Sequence, residues 1–302
     1  MILGADGMLG HKMVQTLREF GPILGTVRRP AAAYQHIELL RRPDILHGVD
    51  ALDPTSLLEL VDKHRPAVVV NCIGIIKQRP DASDAIPNIT INALLPHRLA
   101  ALQSRHGGRV IHFSTDCVFD GTRGGYTEAD PSDAVDLYGR TKYLGEVATP
   151  GALTLRTSII GRELFTRRSL LEWFLARKGE TIRGFTRAIY SGVTTNYLAR
   201  VVARLIRDHP ALSGLYQVAS RPLSKYDLLV KLRRAYDLDV DITPADGVAI
   251  DRSFTGTKFT EATGIETPEW DVLVAALAAD PTPYRQWQQQ HPEPSAIGAS
   301  RA

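Results

Sequence analysis

Three glycines near the start of the chain, Gly4, Gly7 and Gly10, constrain the fold more than any other feature. They follow a short apolar stretch and precede a helical pattern, HKMVQTLREFG, whose apolar residues share one stripe. A glycine turn between a strand and a helix permits a tight bend and leaves N–H groups at the helix start available to a pyrophosphate. The motif therefore predicts a dinucleotide-binding turn, with a plain strand-to-helix turn as the alternative. The residues predicted to contact the dinucleotide here are Gly4, Gly7, Met8, Leu9 and Gly10.

Apolar strands and helical segments alternate through the first half of the chain. The run AVVVNCIG at 67–74 is a continuous apolar strand with a small-residue end, typical of a central parallel strand buried on both faces. A helix is predicted at about 89–105, and strands at 110–113 and 152–156. This alternation predicts an α/β fold, namely a Rossmann-type doubly wound parallel sheet that binds its ligand at the carboxyl ends of the strands.

The alternation loosens after residue 160. Helices are predicted near 169–178, 195–208 and 224–236, with short strands between them. We expect residues 1–160 to form an NADP(H)-binding Rossmann domain that carries the catalytic residues. Residues 161–284 are expected to form mostly a smaller C-terminal lobe that binds the substrate and is interleaved with the sheet. Residues 285–302 are polar and contain proline, so we expect a disordered tail.

The second predicted strand ends in two arginines, Arg28 and Arg29. An NAD-binding unit usually places an acidic residue there for the ribose hydroxyls, whereas arginines suit a 2′-phosphate. The sequence therefore favours NADPH, with NADH possible, because arginines after a strand also occur for solubility alone. Further cofactor contacts are predicted where the third and fourth strands end, at Asp50, Ala51, Cys72, Ile73 and Gly74.

Small polar residues follow the fifth strand, and a helical segment downstream carries Tyr138 and Lys142. Residues four apart share one helix face, where a lysine ammonium can lower the pKa of the phenol. A phenol tuned in this way can give or take a proton near neutral pH. On its own, a Y-x-x-x-K motif is more often solvated helix surface, so the catalytic interpretation depends on the neighbouring cofactor motif.

Together these segments resemble an extended short-chain dehydrogenase, and more narrowly the dTDP-4-dehydrorhamnose reductase family of nucleotide-sugar reductases. The resemblance covers roughly residues 1–265 and rests on the order and spacing of GADGMLG, NCIG, STDCVFDG, YGRTKYLGE, LRTS and GLYQVAS. By this resemblance Thr115 hydrogen-bonds the keto oxygen of the substrate and Tyr138 donates the proton. Lys142 would bind the nicotinamide ribose and tune the tyrosine.

The resemblance implies NADPH-dependent reduction of the 4-keto group of a nucleotide-linked 6-deoxyhexulose, dTDP-linked or similar, in deoxysugar or polysaccharide precursor biosynthesis. Cys117 stands where the family often has a tyrosine, so the identity of the substrate stays open. Dehydratases of the superfamily usually have a glutamate there, and its absence argues against water elimination. The residues predicted to contact the substrate are Lys77, Asp116, Cys117, Thr157 and Arg187.

Two other functions fit the same sequence. One is a nucleotide-sugar epimerase with bound NAD, against which Arg28 and Arg29 argue. The other is a non-catalytic NADP-binding regulatory subunit, because the beta subunit of methionine adenosyltransferase is similar in fold. Intact Tyr138 and Lys142 argue against this third function without excluding it.

Composition limits the partners. A net charge of +3 without a lysine block indicates no nucleic-acid surface. No apolar run approaches the length of a membrane span, and no signal segment opens the chain. Two cysteines in or after strands fit a reducing compartment, and the nine histidines have no metal-binding spacing. We therefore expect a cytoplasmic, metal-free enzyme outside the membrane, and the family resemblance adds a possible homodimer.

Overall fold

The computed structural model describes residues 1–77 and 82–289. Numbered along the chain, its strands are β1 (Ile2–Leu3), β2 (Gly25–Thr26), β3 (Ile45–Leu46), β4 (Val68–Asn71), β5 (Arg109–Ser114), β6 (Ala152–Arg156), β7 (Ile159–Ile160), β8 (Thr181–Phe185), β9 (Ala188–Tyr190), β10 (Val193–Thr194), β11 (Gly214–Gln217), β12 (Leu223–Ser224), β13 (Asp241–Ala245) and β14 (Ile250–Asp251). Seven of them form one parallel sheet in the order β11-β6-β5-β4-β1-β2-β3. This order confirms the predicted doubly wound α/β fold.

Helices connect the strands. They are α1 (Gly10–Arg18), α2 (Pro54–His64), α3 (Ala85–Asn88), α4 (Leu95–Arg105), α5 (Leu137–Leu144), α6 (Leu170–Leu175), α7 (Thr195–Asp208), α8 (Lys225–Ala235), α9 (Thr257–Thr263), α10 (Trp270–Ala278) and α11 (Tyr284–Gln289). A π-helical segment, Ile89–Leu94, joins α3 to α4. Side-chain caps fix several starts, as where Asp53 accepts from Ser56 N and Thr194 accepts from Tyr197 N. None of the described helices has the length and apolarity needed to cross a bilayer.

Both faces of the main sheet are covered. Every residue of β5 and β6 is buried, as expected of strands with helices on both sides. One apolar cluster packs α1 and α7 against the sheet, and another packs α2 and α4 against the opposite face. Neighbouring strand residues Ile2 and Leu3 belong to different clusters because successive side chains of a strand point to opposite faces.

Short sheets and three helices form the remaining part of the molecule. The small sheets pair β10 with β7, β12 and β14 with β9, and β13 with β8. A third apolar cluster holds α6, α8 and α10 together. The strand β11 and the helix α7 lie beyond residue 160 yet belong to the main sheet and its covering layer. The division of the chain into two domains stays a prediction.

The sequence pattern predicted less ordered structure near the C-terminus than the protein has. Disorder was expected from residue 285, but this prediction is wrong for residues 285–289, which belong to α11. The polar composition hid two anchors: Trp287 buries its ring in the main core, and Gln288 Nε2 donates to Glu163 O at 2.7 Å. The rest of the predicted tail, residues 290–302, lies outside the described residues.

Candidate active site

A cavity of about 1200 Å³ runs along the carboxyl ends of β1, β2, β4, β5 and β6. This is the edge at which open parallel sheets bind their ligands. The cavity brings together most of the residues that the sequence predicted for the site. They are Gly4, Gly7, Met8, Leu9, Arg28, Arg29, Asp50, Ala51, Cys72, Ile73, Gly74, Lys77, Thr115, Asp116, Cys117, Tyr138, Lys142 and Thr157.

Two predicted residues do not line the cavity. Gly10 lies inside α1, where an added Cβ would come within 1.9 Å of Gly4 O, so this glycine allows the helix to pack on the turn. Arg187 is exposed between β8 and β9, and its carbonyl accepts a hydrogen bond from Ile250 N. That Arg187 contacts the substrate stays a prediction.

The glycine turn has the shape of an anion cradle. Gly4 has a φ of +76°, which favours glycine, and a Cβ there would lie 3.0 Å from Ile73 Cγ1. Residue Leu9 precedes α1 without a side-chain cap, and the first turn of α1 carries no acidic residue. The N–H groups of His11 and Met13 already donate to Gly7 O and Leu9 O, and the positive end of the helix dipole favours an anion in front of the turn. This geometry fits a pyrophosphate.

The end of the cavity beside β2 carries positive charge. Arg28 and Arg29 are exposed at its edge, and neither forms an ion pair with a carboxylate in the described part of the chain. The guanidinium of Arg29 lies 4.9 Å from the ring centroid of Phe165. Beside these arginines, Tyr34 Oη donates to Asp6 Oδ2 at 2.7 Å. Two unpaired cations at this place fit a 2′-phosphate.

The catalytic candidates meet at the ends of β5 and the start of α5. Thr115 Oγ1 donates to Asp116 Oδ1 at 2.9 Å and accepts from Cys117 N at 3.2 Å. Tyr138 lies in the first turn of α5, which Asp136 caps by accepting from Gly139 N. Burial raises the pKa of the Tyr138 phenol, and a hydrogen bond with Thr115 opposes this shift.

Lys142 does not lower the pKa of Tyr138 in the way that the sequence suggested. Its Nζ donates to Phe113 O at 2.6 Å, near the end of β5. Burial lowers the pKa of Lys142 to about 8, and the nearby charge of Glu146 opposes the shift. Burial is therefore the largest influence on the pKa of both residues, and it favours the neutral form of each.

Polar contacts between buried side chains hold this part of the cavity in shape. Asn92, on the π-helical segment, pairs with both backbone groups of Ile75 at 2.9 and 3.0 Å, and it fixes the loop after β4. Arg156 forms a buried ion pair with Glu146 at 2.7 Å, and Ser114 Oγ donates to the same carboxylate at 2.6 Å. These contacts join β5, β6 and the end of α5.

Sequence reasoning missed the buried ion pair between Glu146 and Arg156, and it missed Arg252 in the cavity. Glu146 and Arg156 are charged residues that each lie among apolar residues in the sequence, which indicates burial. Nothing in the sequence indicates that the two side chains pair with each other. Arg252 lines the cavity with no sequence signal at all: its Nη1 lies 3.8 Å from Cys117 Sγ, and its Nε donates to Phe119 O at 2.8 Å.

The substrate side of the cavity is polar. Lys77 Nζ binds Asp136 Oδ2 at 2.7 Å and lies 5.6 Å from the ring centroid of Tyr138. Burial raises the pKa of the Cys117 thiol to about 11, so this cysteine is a neutral lining group. Thr157 Oγ1 donates to Val218 O at 3.0 Å and links β6 to the end of β11. Among residues 1–77 and 82–289, no cluster of three His, Cys, Asp or Glu side chains could hold a metal ion.

The fold and the cavity define a class, that of Rossmann-type α/β proteins with a dinucleotide-shaped site at the carboxyl edge of the sheet. Within this class, the model of the family described as the RmlD substrate binding domain matches residues 1–277, and the chain belongs to this family. The resemblance to the dTDP-4-dehydrorhamnose reductase family is thereby confirmed.

Individual relatives agree with this membership. The chain is 31% identical over 233 residues to the probable low-salt glycan biosynthesis reductase Agl14 of Haloferax volcanii, covering 73% of this chain and 74% of the relative. It is 26% identical over 311 residues to a dTDP-4-dehydrorhamnose reductase of Burkholderia thailandensis, covering 93% and 98%. A crystal structure of dTDP-4-dehydrorhamnose reductase from Bacillus anthracis in complex with NADP superimposes with a TM-score of 0.74 at 21% identity, covering 91% of this chain and 96% of that one. This last likeness concerns the fold alone.

Proposed function

We propose that this protein uses NADPH to reduce the 4-keto group of a nucleotide-linked 6-deoxyhexulose in deoxysugar or polysaccharide precursor biosynthesis. One observation carries the proposal: the uncapped glycine turn and the set Thr115, Tyr138 and Lys142 line the same cavity. Membership of the family and the names of the relatives, which are reductases, support it.

The cavity fits the cofactor along its whole length. The glycine turn would hold the pyrophosphate, and Arg28 and Arg29 would hold the 2′-phosphate. Asp50 and Ala51 would face the adenine, while the segment 72–74 would face the ribose and nicotinamide. When bound, the reduced nicotinamide would supply a hydride to the ketone carbon.

The side chains supply the proton and the alignment. Burial keeps the Tyr138 phenol protonated at neutral pH, so it can donate its proton to the ketone oxygen. Thr115 would hydrogen-bond the same oxygen and stabilise the charge that develops on it. Lys142 would bind the nicotinamide ribose. Lys77, Asp116, Cys117 and Thr157 would line the sugar, with Arg252 beside Cys117.

Turnover with a panel of substrates tests this function. We expect NADPH oxidation, followed by absorbance, with at least one member of a panel of dTDP-, UDP- and GDP-linked 4-keto-6-deoxy sugars. A flat response to the whole panel would contradict the proposal. Tightly held NAD⁺ in the purified protein would favour the epimerase instead, and NADPH binding without any turnover would favour the regulatory subunit.

A cytoplasmic homodimer completes the proposal. Both cysteines are free thiols, which suits a reducing compartment. Neighbouring helices on one part of the surface expose the apolar side chains of Ile86, Ile89, Leu94, Tyr143 and Leu144. A second copy would remove these side chains from water. Light scattering should give a dimer mass for the parent protein and a smaller mass for Leu144→Glu, whereas the control Val272→Glu, at another exposed apolar position, should stay dimeric.

A further inference from the structure

A line of buried polar contacts leads from the end of β4 to Lys142. Asn71 and His112 are register partners on β4 and β5, and both are almost completely buried. Asn71 Nδ2 lies 3.2 Å from His112 Nδ1, and His112 Nε2 lies 3.5 Å from Lys142 Nζ. The proposed reduction gives no role to Asn71 or His112, although His112 lies beside Lys142 and Asn71 contacts His112.

The backbone fixes the direction of this line. The N–H of Ile73 donates to Asn71 Oδ1 at 3.2 Å, and a backbone N–H can only donate. The amide oxygen of Asn71 therefore faces Ile73, and its NH₂ group faces His112. Because this NH₂ group also only donates, His112 Nδ1 must accept. A neutral His112 then carries its proton on Nε2, the nitrogen that faces Lys142.

This tautomer affects the protonation of Lys142. An ammonium would place N–H against N–H at the contact with His112, whereas a neutral amine can turn its lone pair to Nε2–H. The amine can keep its bond to Phe113 O at the same time. A proton released by Lys142 can leave to the cavity, which Lys142 lines.

The charges around Lys142 come from several elements. On its own helix the neighbours are Tyr138, one turn earlier, and Glu146 just beyond the helix end. Glu146 raises the pKa of Lys142, but Arg156 of β6 and Ser114 of β5 already bind this carboxylate. His112 of β5 stays neutral, since burial holds its pKa well below the usual range.

We propose that Asn71 fixes the Nε2–H tautomer of His112, and that His112 thereby poises Lys142 to exchange its proton near neutral pH. Asn71 and His112 act as positioning residues, because they reach the reaction only through Lys142. The inference rests on the proposed function for its biological meaning. Its geometry concerns the protein alone, so it can be tested without cofactor or substrate.

The first test reads the tautomer directly. In protein labelled with ¹⁵N-histidine, two-bond ¹H–¹⁵N correlation spectra should show His112 with an unprotonated Nδ1 and a protonated Nε2 from pH 6 to 9, a range of about 3 pH units that includes the ordinary pKa of histidine. The resonances are assigned by their loss in His112→Gln. A protonated Nδ1, or an imidazolium, in the parent protein would overturn the proposal.

The second test follows Lys142 through its ¹³Cε shift against pH in the same cofactor-free protein, assigned by its loss in Lys142→Arg. Asn71→Asp should reverse the tautomer, because a carboxylate accepts from Nδ1–H, and should raise the Lys142 midpoint by about one pH unit or more. Asn71→Ala removes the donor without adding charge and should also raise the midpoint. Asn88→Ala, at another buried asparagine, should leave it unchanged.

The outcomes distinguish control of the Lys142 pKa by the His112 tautomer from a direct effect of the added carboxylate charge. A midpoint that rises in Asn71→Asp alone would show an effect of the added carboxylate and would overturn the proposal. A rise in both Asn71 variants with Asn88→Ala unchanged supports it. Failure of the ketosugar panel would leave these results standing, so the proposed function and this inference fail independently.

Discussion

Burial sets the protonation of the individual groups in the cavity. A low-dielectric surrounding disfavours charge, so it raises the pKa of the Tyr138 phenol and lowers the pKa of the Lys142 ammonium. The Y-x-x-x-K spacing alone suggests the opposite shift for the phenol. A protonated phenol at neutral pH suits reduction, in which the tyrosine must begin as the donor.

Removal of the Tyr138 hydroxyl should separate chemistry from binding. We expect Tyr138→Phe to lower kcat by roughly 10²–10⁴-fold, the usual contribution of a positioned general acid, because the ring still packs but no proton is available. Fluorescence titration should show NADPH affinity within about tenfold of the parent, since a lost hydrogen bond contributes about 0.5–1.5 kcal/mol. Turnover at the parent rate would refute the proposed donor.

His11 should make stability depend on pH. Its Nδ1 donates to Gly7 O at 2.8 Å, its Nε2 lies 2.7 Å from Tyr284 Oη, and burial lowers its pKa from 6.5 to about 4. Between pH 4 and pH 6.5, the His11 ring is therefore protonated in the unfolded chain but neutral in the folded protein. The stabilisation is complete above pH 6.5 and is lost as the pH falls towards 4.

Urea unfolding at pH 7 and pH 5 checks this prediction. The His11 contribution to the free energy of unfolding should fall by about 2 kcal/mol over this interval. His11→Gln should show a correspondingly shallower loss between the two pH values. His64→Gln, at an exposed position, should lose as much as the parent, and equal losses in all three proteins would contradict the assignment.

At the scale of the elements, one ion pair connects the end of α5 to the sheet. Glu146 follows α5, and Arg156 ends β6 beside the ring of Phe119, with the guanidinium carbon 5.2 Å from the ring centroid. Both partners are almost fully buried, so each charge depends on the other.

Neutralising one partner should therefore cost more than the pair contributes. We expect Glu146→Gln to lower the free energy of unfolding by roughly 3–5 kcal/mol, because it leaves the Arg156 charge buried without a counter-ion. Asp271→Asn, which breaks an exposed pair with Lys231 at 2.7 Å, is the control and should cost less than about 1 kcal/mol. Denaturant unfolding measures both, and similar losses would argue against this view of the buried pair.

At the scale of the whole molecule, the C-terminal segment supports the dinucleotide turn. Asp280 accepts from Lys12 Nζ at 2.7 Å and from Asn196 Nδ2 at 2.9 Å, so it joins α1 to α7. Tyr284 contacts His11, which in turn contacts the carbonyl of Gly7. The end of the chain thus holds the beginning of the cofactor cavity.

Loss of the Trp287 anchor should loosen this support. Trp287→Ala removes a buried ring from the main core and should cost roughly 3–5 kcal/mol of stability. NADPH should bind less tightly as well, because α11 carries Tyr284 to the glycine turn. Thermal unfolding and NADPH titration measure the two effects. The exposed neighbour Arg285→Ala is the matched control, and a Trp287 variant as stable as this control would contradict the role of α11.

The sequence by itself determined the sheet, the glycine turn and the strand ends, because each depends on a local pattern. Strand-helix alternation, the spacing of Gly4, Gly7 and Gly10, and a tyrosine four residues before a lysine are all visible within short windows. The strand at 152–156 and the helix at 195–208 were predicted at their observed bounds for the same reason.

Only the tertiary structure decided which distant groups meet and how burial changes them. His11 and Tyr284 are 273 residues apart, and Arg252 reaches Cys117 across 135 residues, so no local pattern links them. Burial also reversed the expected shift at Tyr138, because the cost of desolvating a charge depends on all the elements packed around it. Local spacing selected the residues, and packing of the whole chain set their partners and their protonation.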